Sequence, residues 1–222
     1  MHAPLSADQV NDLEGILSAP RFATYLRETR GDRIRAMQLY CWNTDVSAAF
    51  YIMLQFCELA VRNGAVEALE AAIGPNWHHN RGFRYTLPRL ANGRGYQPAD
   101  DLESCARRLP TAGKVVAELK FAFWQYLFVT GQDQRLWMPH FATCFPGADP
   151  NLTVVQARAA IFDDIERIRK FRNRIAHHEP IFTRQLAEDR DRIGKLIHWR
   201  RPSSAAWLNG VERVSALLAT RP

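Results

Sequence analysis

The stretch from Val46 to Ile73 constrains the fold of this chain more than any other feature of its sequence. It contains no proline, its only glycine is Gly64, and Gly74-Pro75 follows it directly. Glycine and proline weaken a helix more than any other residues, so their near absence over this length favours one long helix. The Gly-Pro pair cannot continue a helix and predicts where it ends.

Most of the remaining chain also follows a helical period, and alternating strand patterns are scarce. Glycines and prolines between residues 82 and 98 leave room there for short helices only, with Asn92–Gly95 as the clearest exposed loop. The other predicted helices run from Ser6 or Asp8 to about Leu17, from Pro20 through Leu26, from Lys114 to Val129, from Thr153 to His177, from about Leu186 to Trp199 and from Ala205 to Leu218. We therefore expect one all-α domain over residues 1–222, with a loop-rich middle.

The composition and charge limit the class of protein and its partners. A hydrophobic share of 47% and a charged share of 23% are ordinary for a folded soluble protein. The formal net charge is +6 and the sequence pI is about 9.4. An anionic partner is therefore expected, and nucleic acid, an anionic membrane surface or an acidic protein would each fit.

The cysteines and the chain start predict a cytoplasmic protein. The cysteines are widely separated and form no Cys-x-x-Cys pair, which favours free thiols in a reducing compartment over disulfides or zinc. They are Cys41, Cys57, Cys105 and Cys144. The first residues lack the charged and apolar regions of a secretory signal. The most apolar run, Val46–Val61, is interrupted by Gln55 and Glu58 and is too short to span a bilayer, so no membrane is expected.

The segment Arg172–His178, Arg-Asn-Arg-Ile-Ala-His-His, carries the side chains with most chemistry. Metal-free cleavage of RNA needs a base for the 2′-hydroxyl, a cation for the phosphorane and an acid for the leaving oxygen. Histidine titrates near neutral pH, arginine binds two phosphate oxygens at once, and Asn173 adds a donor. Arg169, Lys170 and Arg174 add positive charge for flanking phosphates. The segment predicts an RNA substrate, because DNA lacks the 2′-hydroxyl.

Arg172 stands at an unusual place on its predicted helix. The apolar stripe of this helix consists of Ile161, Ile165, Ile168 and Ile175. Arg172 falls in the gap of that stripe, where another apolar residue is expected. A guanidinium among apolar groups is costly unless it is paired or lines a cleft, so Arg172 needs a compensating partner.

Glu58 is the candidate partner on the long helix. It shares a helical stripe with Leu54, Val61 and Ala65 and precedes Arg62 by one turn. Two interpretations are open. Glu58 either forms a structural bridge with Arg172 or Arg62, or it orients a catalytic Arg172 from behind.

Helix geometry separates the two catalytic residue types. Five residues of ideal helix place Arg172 and His177 about 140° apart around the axis and about 7.5 Å apart along it. The helix should end near His178, because Glu179 precedes Pro180 and is driven out of the α region. A histidine at the helix end turns more freely, but a two-fold dimer also brings two motifs into one cleft. We favour the dimer.

Other clusters have simpler interpretations. Adjacent histidines point apart on a helix and no third spaced ligand accompanies His177-His178-Glu179, so neither a metal nor another cofactor is expected. His78-His79 should lie in a surface loop. A set of aromatics would suit a base-stacking platform, but their density inside an apolar segment favours the core. They are Phe121, Phe123, Trp124, Tyr126 and Phe128.

The motif and its companions resemble a known family. Arg172-x4-His177, with Asn173 after the arginine, is similar to the Arg-x(4–6)-His signature of HEPN domains. The longer string from Arg172 to Phe182 resembles the Abi-like (abortive infection) proteins of bacteria. Companion strings over about Ile34–Pro202 extend the likeness. They are Tyr40–Asn43 with Ser47, Glu58–Asn63, Gly113–Leu119, Phe123-Trp124, Leu136-Trp137 and His198-Trp199.

The resemblance implies an all-α HEPN bundle that forms a homodimer and acts as a metal-independent endoribonuclease in toxin or phage-defence systems. It implies catalytic roles for Arg172, His177 and Asn173, and supporting roles for Glu58 and Asn63. His178 also satisfies the spacing, and His177 is preferred. A toxin of this kind would have an antitoxin, RNA or protein, among its partners. The alternative is a non-catalytic HEPN module that binds RNA or a partner protein.

Overall fold

The structure, a computed structural model, describes residues 5–89 and 95–222, and in these residues every regular element is a helix. The protein is all-α, as the sequence predicts. The α-helices are α1 (Ala7–Ile16), α2 (Ala19–Glu28), α3 (Arg33–Ile73), α4 (Arg81–Thr86), α5 (Pro98–Arg108), α6 (Ala112–Glu118), α7 (Phe121–Gln125), α8 (Met138–Cys144), α9 (Val154–Ala176), α10 (Leu186–Arg200), α11 (Pro202–Val211) and α12 (Val214–Leu218). A π-helical turn covers Asp133–Trp137. Asn92, Gly93 and Arg94 of the expected loop lie outside the described residues.

Helix α3 is the central element of the fold. Asp32 caps its start by accepting the N–H of Arg35 at 3.0 Å. It ends at Gly74, whose φ of 102° disfavours any residue with a Cβ. The predicted long helix is therefore confirmed, and it begins earlier than the stretch that predicted it. Helices α1, α2, α7, α8, α9, α10 and α12 all pack against it.

The length of α3 changes one argument about membranes. By length and composition α3 is long and apolar enough to cross a bilayer, and 39% of its most apolar 18-residue window is buried in the fold. The core helix of a soluble protein passes the same test. The apolar run Val46–Val61 is only a part of α3, and its short length was the reason to expect no membrane span. The absence of a membrane span therefore stays a prediction.

The predicted helix from Lys114 to Val129 is wrong, because Leu119 adopts extended backbone between α6 and α7. The break allows the following aromatics to turn inward. Phe123, Trp124 and Phe128 are fully buried, and Phe128 stacks on Trp137 with ring centroids 4.3 Å apart. Core placement is confirmed for these three aromatics, whereas the remaining two, at positions 121 and 126, stay partly exposed. The predicted C-terminal helix is likewise divided, into α11 and α12.

The cysteines are free thiols, as predicted, and three of the four are buried. Burial raises the pKa of the Cys57 and Cys144 thiols. A protonated thiol in apolar surroundings is a weak nucleophile, so these cysteines serve packing rather than chemistry.

A buried ion pair ties α9 to the π-helical turn. Arg158 Nε donates to Asp133 Oδ1 at 2.8 Å and Nη2 donates to Oδ2 at 3.1 Å. Both side chains are 8% exposed. Arg158 also donates to the carbonyl of Phe128 and to Thr130 Oγ1. The guanidinium is thus compensated on all sides, which a buried charge requires.

Candidate functional site

Helix α9 carries the motif, and the sequence at its two ends sets its length. Thr153 Oγ1 accepts the N–H of Gln156 at 3.3 Å, and the Gln156 side chain accepts the N–H of Thr153 at 2.9 Å. This capping box fixes the start. The helix ends at Ala176 with His177 as its C-cap, so the predicted helix from Thr153 to His177 is confirmed.

The predicted position of Arg172 in the apolar stripe is wrong. Arg172 is exposed, and the neighbouring Phe171 is fully buried and fills the slot. Phe171 packs edge to face on Phe50 of α3, with ring centroids 4.7 Å apart. Residues three and four positions after Ile168 both continue its helix face, and the aromatic side chain takes the inner one. Arg172 therefore lies at the surface.

Arg172 and Glu58 line two adjacent clefts. The α7 cleft has a volume of about 410 Å³, and the α3 cleft has a volume of about 360 Å³. The α7 cleft is completed by Tyr96, Leu119, Lys120, Phe121, Ala122, Arg169 and Asn173. The α3 cleft is completed by Tyr51, Leu54, Gln55, Leu59 and Arg62. Both volumes fall within the roughly 300–1,000 Å³ of small-molecule sites, and Arg172 stands where they meet.

Glu58 is partly buried and unpaired. Within the described residues it forms no hydrogen bond, and no ion pair joins it to Arg62 or Arg172 within 4.0 Å. The predicted structural bridge from Glu58 to either arginine is therefore wrong. Arg62 Nε is itself buried without a hydrogen-bond partner.

The flanking cations do not all face the clefts. Arg169 lines the α7 cleft, where its Nη1 donates to the buried amide oxygen of Gln125. Lys170 lies outside both clefts and pairs with Glu166 at 2.7 Å, one turn away. Of these two residues predicted to bind RNA, Arg169 alone is placed beside Arg172.

His177 and His178 lie beyond both clefts, exposed at the end of α9. His178 adopts a positive φ of 55°. Its N–H donates to the carbonyl of Ile175 at 3.0 Å, and the N–H of Glu179 donates to that of Arg174 at 2.8 Å. These two bonds form a Schellman motif, whose left-handed position ordinarily holds glycine. A histidine keeps this left-handed backbone conformation only because the surrounding structure imposes it.

Arg172 and His177 share neither of the two clefts within one chain. Arg172 lines both clefts and His177 lines neither. His177 follows Asn173 by four residues, so it lies about 6 Å further along the helix on the same side as the amide. The predicted angle and distance between Arg172 and His177 stay a prediction.

Several side chains fix the segment 178–182 that follows the motif. Arg21 of α2 donates to the backbone carbonyl of residue 178, Arg174 donates to that of Pro180 at 2.6 Å, and Arg221 donates to that of Phe182 at 3.3 Å. Arg174 is thus occupied at the turn rather than placed in a cleft. The three arginines that donate these hydrogen bonds lie in α2, in α9 and after α12.

Asn43 of α3 fixes the same segment from the core side. Its Oδ1 accepts the N–H of Ile181 at 2.8 Å and that of Phe182 at 3.2 Å, and the side chain is 5% exposed. Sequence reasoning included Asn43 in the family resemblance but did not assign it a role. An amide within α3 with apolar residues one turn away on both sides, Leu39 and Val46, is the sequence signal that would have pointed to it.

Replacing Asn43 by alanine should destabilise the protein, because two buried N–H groups lose their acceptor. We expect a loss of about 2–3 kcal/mol in the free energy of unfolding. The melting temperature should fall by roughly 4–12 °C in a thermal scan. Asn63→Ala is the matched control, since Asn63 lies on the same helix and is exposed. Equal melting temperatures for the two variants would contradict the role of Asn43.

Three residues of the α7 cleft were missed as site residues. Tyr96 donates its hydroxyl to Asp101 Oδ2 at 2.5 Å, and Lys120 Nζ lies 5.6 Å from the Tyr96 ring centroid. Burial, together with the bond to Asp101, raises the pKa of Tyr96, so the phenol stays protonated. Phe121 is partly exposed in the cleft. The aromatic-rich segment marks Phe121, which the sequence assigns to the core, but no local pattern marks Tyr96 or Lys120, because tertiary packing brings them to α9.

Other clefts of the described residues do not include Arg172. One of about 390 Å³ lies between α10 and α11 beside Lys195 and His198, and one of about 210 Å³ includes Asn63 and Arg200. Asn63, predicted to support catalysis, lines neither of the two clefts that contain Arg172, although its cleft shares Leu59 with the α3 cleft.

No group of three or more His, Cys, Asp or Glu side chains suited to a metal occurs in residues 5–89 and 95–222. The predicted surface position of the histidine pair holds for His79 only. His78 is 6% exposed, and burial followed by the nearby His79 lowers its pKa.

No protein-family model matches the chain, and no curated protein or solved structure matches it. The relation to HEPN and Abi-like proteins therefore stays a prediction from the motif and its companion strings.

Proposed function

We propose that this protein is a metal-independent endoribonuclease with a HEPN-type bundle, which cuts RNA at a phosphate bound by Arg172. The position of Arg172 carries the proposal. It is exposed, it forms no ion pair within the described residues, and it is shared by two clefts of nucleotide-binding size. When a phosphate is bound by Arg172, the α7 cleft and the α3 cleft remain open to the nucleotides on either side of that phosphate.

The proposed chemistry is attack by the 2′-oxygen on the adjacent phosphorus. A base takes the 2′-hydroxyl proton, the bond from phosphorus to the 5′-oxygen breaks, and an acid protonates that oxygen. The products are a 2′,3′-cyclic phosphate and a 5′-hydroxyl. The planar Arg172 fork stabilises the phosphorane oxygens, and the Asn173 amide donates to the same group. Arg169 holds the neighbouring phosphate.

The acid or base is proposed to be His177 of a second copy. An exposed apolar patch, the α3–α11 face, supports this arrangement. It consists of Tyr51, Ile52, Phe56, Trp207 and Val211, each at least 38% exposed. Exposed apolar patches mark association surfaces. Tyr51 also lines the α3 cleft, so a copy docked on this face lies beside Arg172.

Mixing two inactive variants tests both the activity and the composite site. Arg172→Ala and His177→Ala proteins should each cut RNA in EDTA at least about a hundredfold more slowly than the parent. After dissociation and random pairing, half of the dimers are mixed and each retains one complete pair, so about a quarter of the parental rate should return. The product should carry a cyclic phosphate, and 2′-deoxy substitution at the cut nucleotide should block it.

The controls separate the alternatives. A His178→Ala protein mixed with Arg172→Ala identifies which histidine acts. Cleavage that never returns on mixing, with an active parent, would mean that each chain holds its own site. A parent that binds RNA without cutting it would contradict the ribonuclease proposal.

The resemblance extends the proposal to the cell. The protein is proposed to act in the cytoplasm as a toxin or abortive-infection effector, neutralised by an RNA or protein antitoxin. The position of His177 outside both clefts favours the second candidate, a HEPN module that binds RNA without cutting. One form of that candidate, with Arg172 as a buried structural ion pair, is wrong because Arg172 is exposed.

A further inference from the structure

We infer that the α7 cleft binds a guanine base of the RNA strand, with Glu58 as the residue that recognises it. This assignment rests on the proposed function, because it names the base next to the phosphate on Arg172. Three observations support it: Glu58 has no hydrogen-bond donor within the described residues, the Phe121 ring lines the cleft, and the four bases differ in their hydrogen-bond donors.

Glu58 is an acceptor without a donor in a cationic cleft. Lys120, Arg169 and Arg172 line the cleft with it. In the described part of the chain none of the three forms an ion pair with Glu58 within 4.0 Å. A carboxylate only accepts hydrogen bonds, so both of its oxygens remain available to a ligand. The cations make the cleft attractive to the phosphates on either side of that ligand.

The donor pattern of the bases selects guanine. Its Watson–Crick edge presents N1–H beside the N2 amino group, two adjacent donors that match two carboxylate oxygens. Adenine and cytosine each place one ring acceptor beside their amino group, and uracil flanks its single N–H with two carbonyl oxygens. A carboxylate meets a lone pair in each of these three cases. Bases in single strands are commonly read on this edge.

Phe121 supplies a face for stacking. It is partly exposed and lines the cleft, and no aromatic ring among the described residues contacts it. Tyr96 is already fixed by Asp101, by Lys120 and by Tyr126, whose ring centroid is 6.0 Å away. The free Phe121 face is therefore the surface available to a base, and such stacking is tolerant of base identity.

Binding of 3′-mononucleotides to the full-length protein tests the assignment without relying on cleavage. Guanosine 3′-monophosphate should bind at least about tenfold more tightly than its adenosine, cytidine and uridine counterparts, since a hydrogen bond to a charged group has about this effect. Inosine 3′-monophosphate, which lacks the N2 amino group, should lie between them.

Glu58→Gln should change the preference rather than only weaken binding. A glutamine amide offers one acceptor and one donor, which suits the amino group and ring nitrogen of adenine. The ratio of guanine to adenine affinity should fall at least about tenfold. Phe121→Ala should weaken all four nucleotides alike. Glu70→Gln is the control, because Glu70 is exposed on the same helix and lines neither cleft.

The outcomes distinguish this assignment from the proposed function. Equal affinity for the four nucleotides, or an unchanged preference in Glu58→Gln, overturns the guanine site even if the parent cuts RNA. A guanine preference in a parent that cuts no RNA supports the guanine site and overturns the ribonuclease. Guanosine triphosphate that binds without competition from a guanine-containing pentaribonucleotide overturns the RNA strand as the source of the base.

Discussion

Arg172→Ala is expected to lower the rate of RNA cleavage by about 10²–10³-fold, the usual cost of removing one group that stabilises a charged transition state. The melting temperature should stay within about 2 °C of the parent, because an exposed side chain without partners contributes little to stability. The measurements are the single-turnover rate on a labelled RNA and a thermal scan. The combination separates catalysis from folding, since a buried structural arginine would change both.

Two variants sharpen that comparison. Arg172→Lys keeps the charge but loses the planar fork, so its rate should fall between those of the parent and the alanine variant. Lys170→Ala removes a cation from the same helix that pairs with Glu166 and lines neither cleft, and its rate should change little. A folded Arg172→Ala protein that cuts at the parental rate would refute the role of Arg172.

The second large effect concerns stability. Asp133→Ala leaves the Arg158 guanidinium buried without its counter-charge, which should cost about 3–5 kcal/mol of unfolding free energy. For a chain of this size the melting temperature should fall by roughly 6–20 °C. Chemical denaturation followed by circular dichroism measures the loss directly.

The matching double variant tests the cause. Replacing both partners, Asp133→Leu with Arg158→Met, removes the stranded charge and should recover much of the lost stability. Glu166→Ala breaks the exposed pair with Lys170 and should cost no more than about 1 kcal/mol. If Asp133→Ala proved as mild as Glu166→Ala, the buried pair would not be a principal tie between α9 and the π-helical turn.

Local sequence predicts the helix ends well and the inward face of α9 only in part. The caps at Thr153 and Gly74 follow from side-chain hydrogen bonds and backbone freedom within a few residues. The inward slot after Ile168 fits position 171 or 172 equally by spacing. The helical period does not distinguish these two positions. Burial of Phe171 against Phe50 determines which side chain points inward.

The composition of the α7 cleft could not be predicted from local pattern. Tyr96 precedes α5 and Phe121 begins α7, so the two residues are distant in sequence, and both line the cleft that contains Arg172. The sequence over Lys114–Val129 has the apolar content of one continuous helix. Tertiary packing of the aromatic core overrides that preference, and it creates a cleft wall from residues with no shared motif.

Two of the hydrogen bonds that hold segment 178–182 come from residues far from the motif in sequence. Arg21 and Arg221 lie outside residues 34–202, where the companion strings of the motif occur, and they donate to the backbone carbonyls of His178 and Phe182. A version trimmed to that stretch would keep all the motif side chains and lose two of the hydrogen bonds that hold the backbone of segment 178–182. The residues needed to hold this segment in place therefore extend beyond residues 34–202 on both sides.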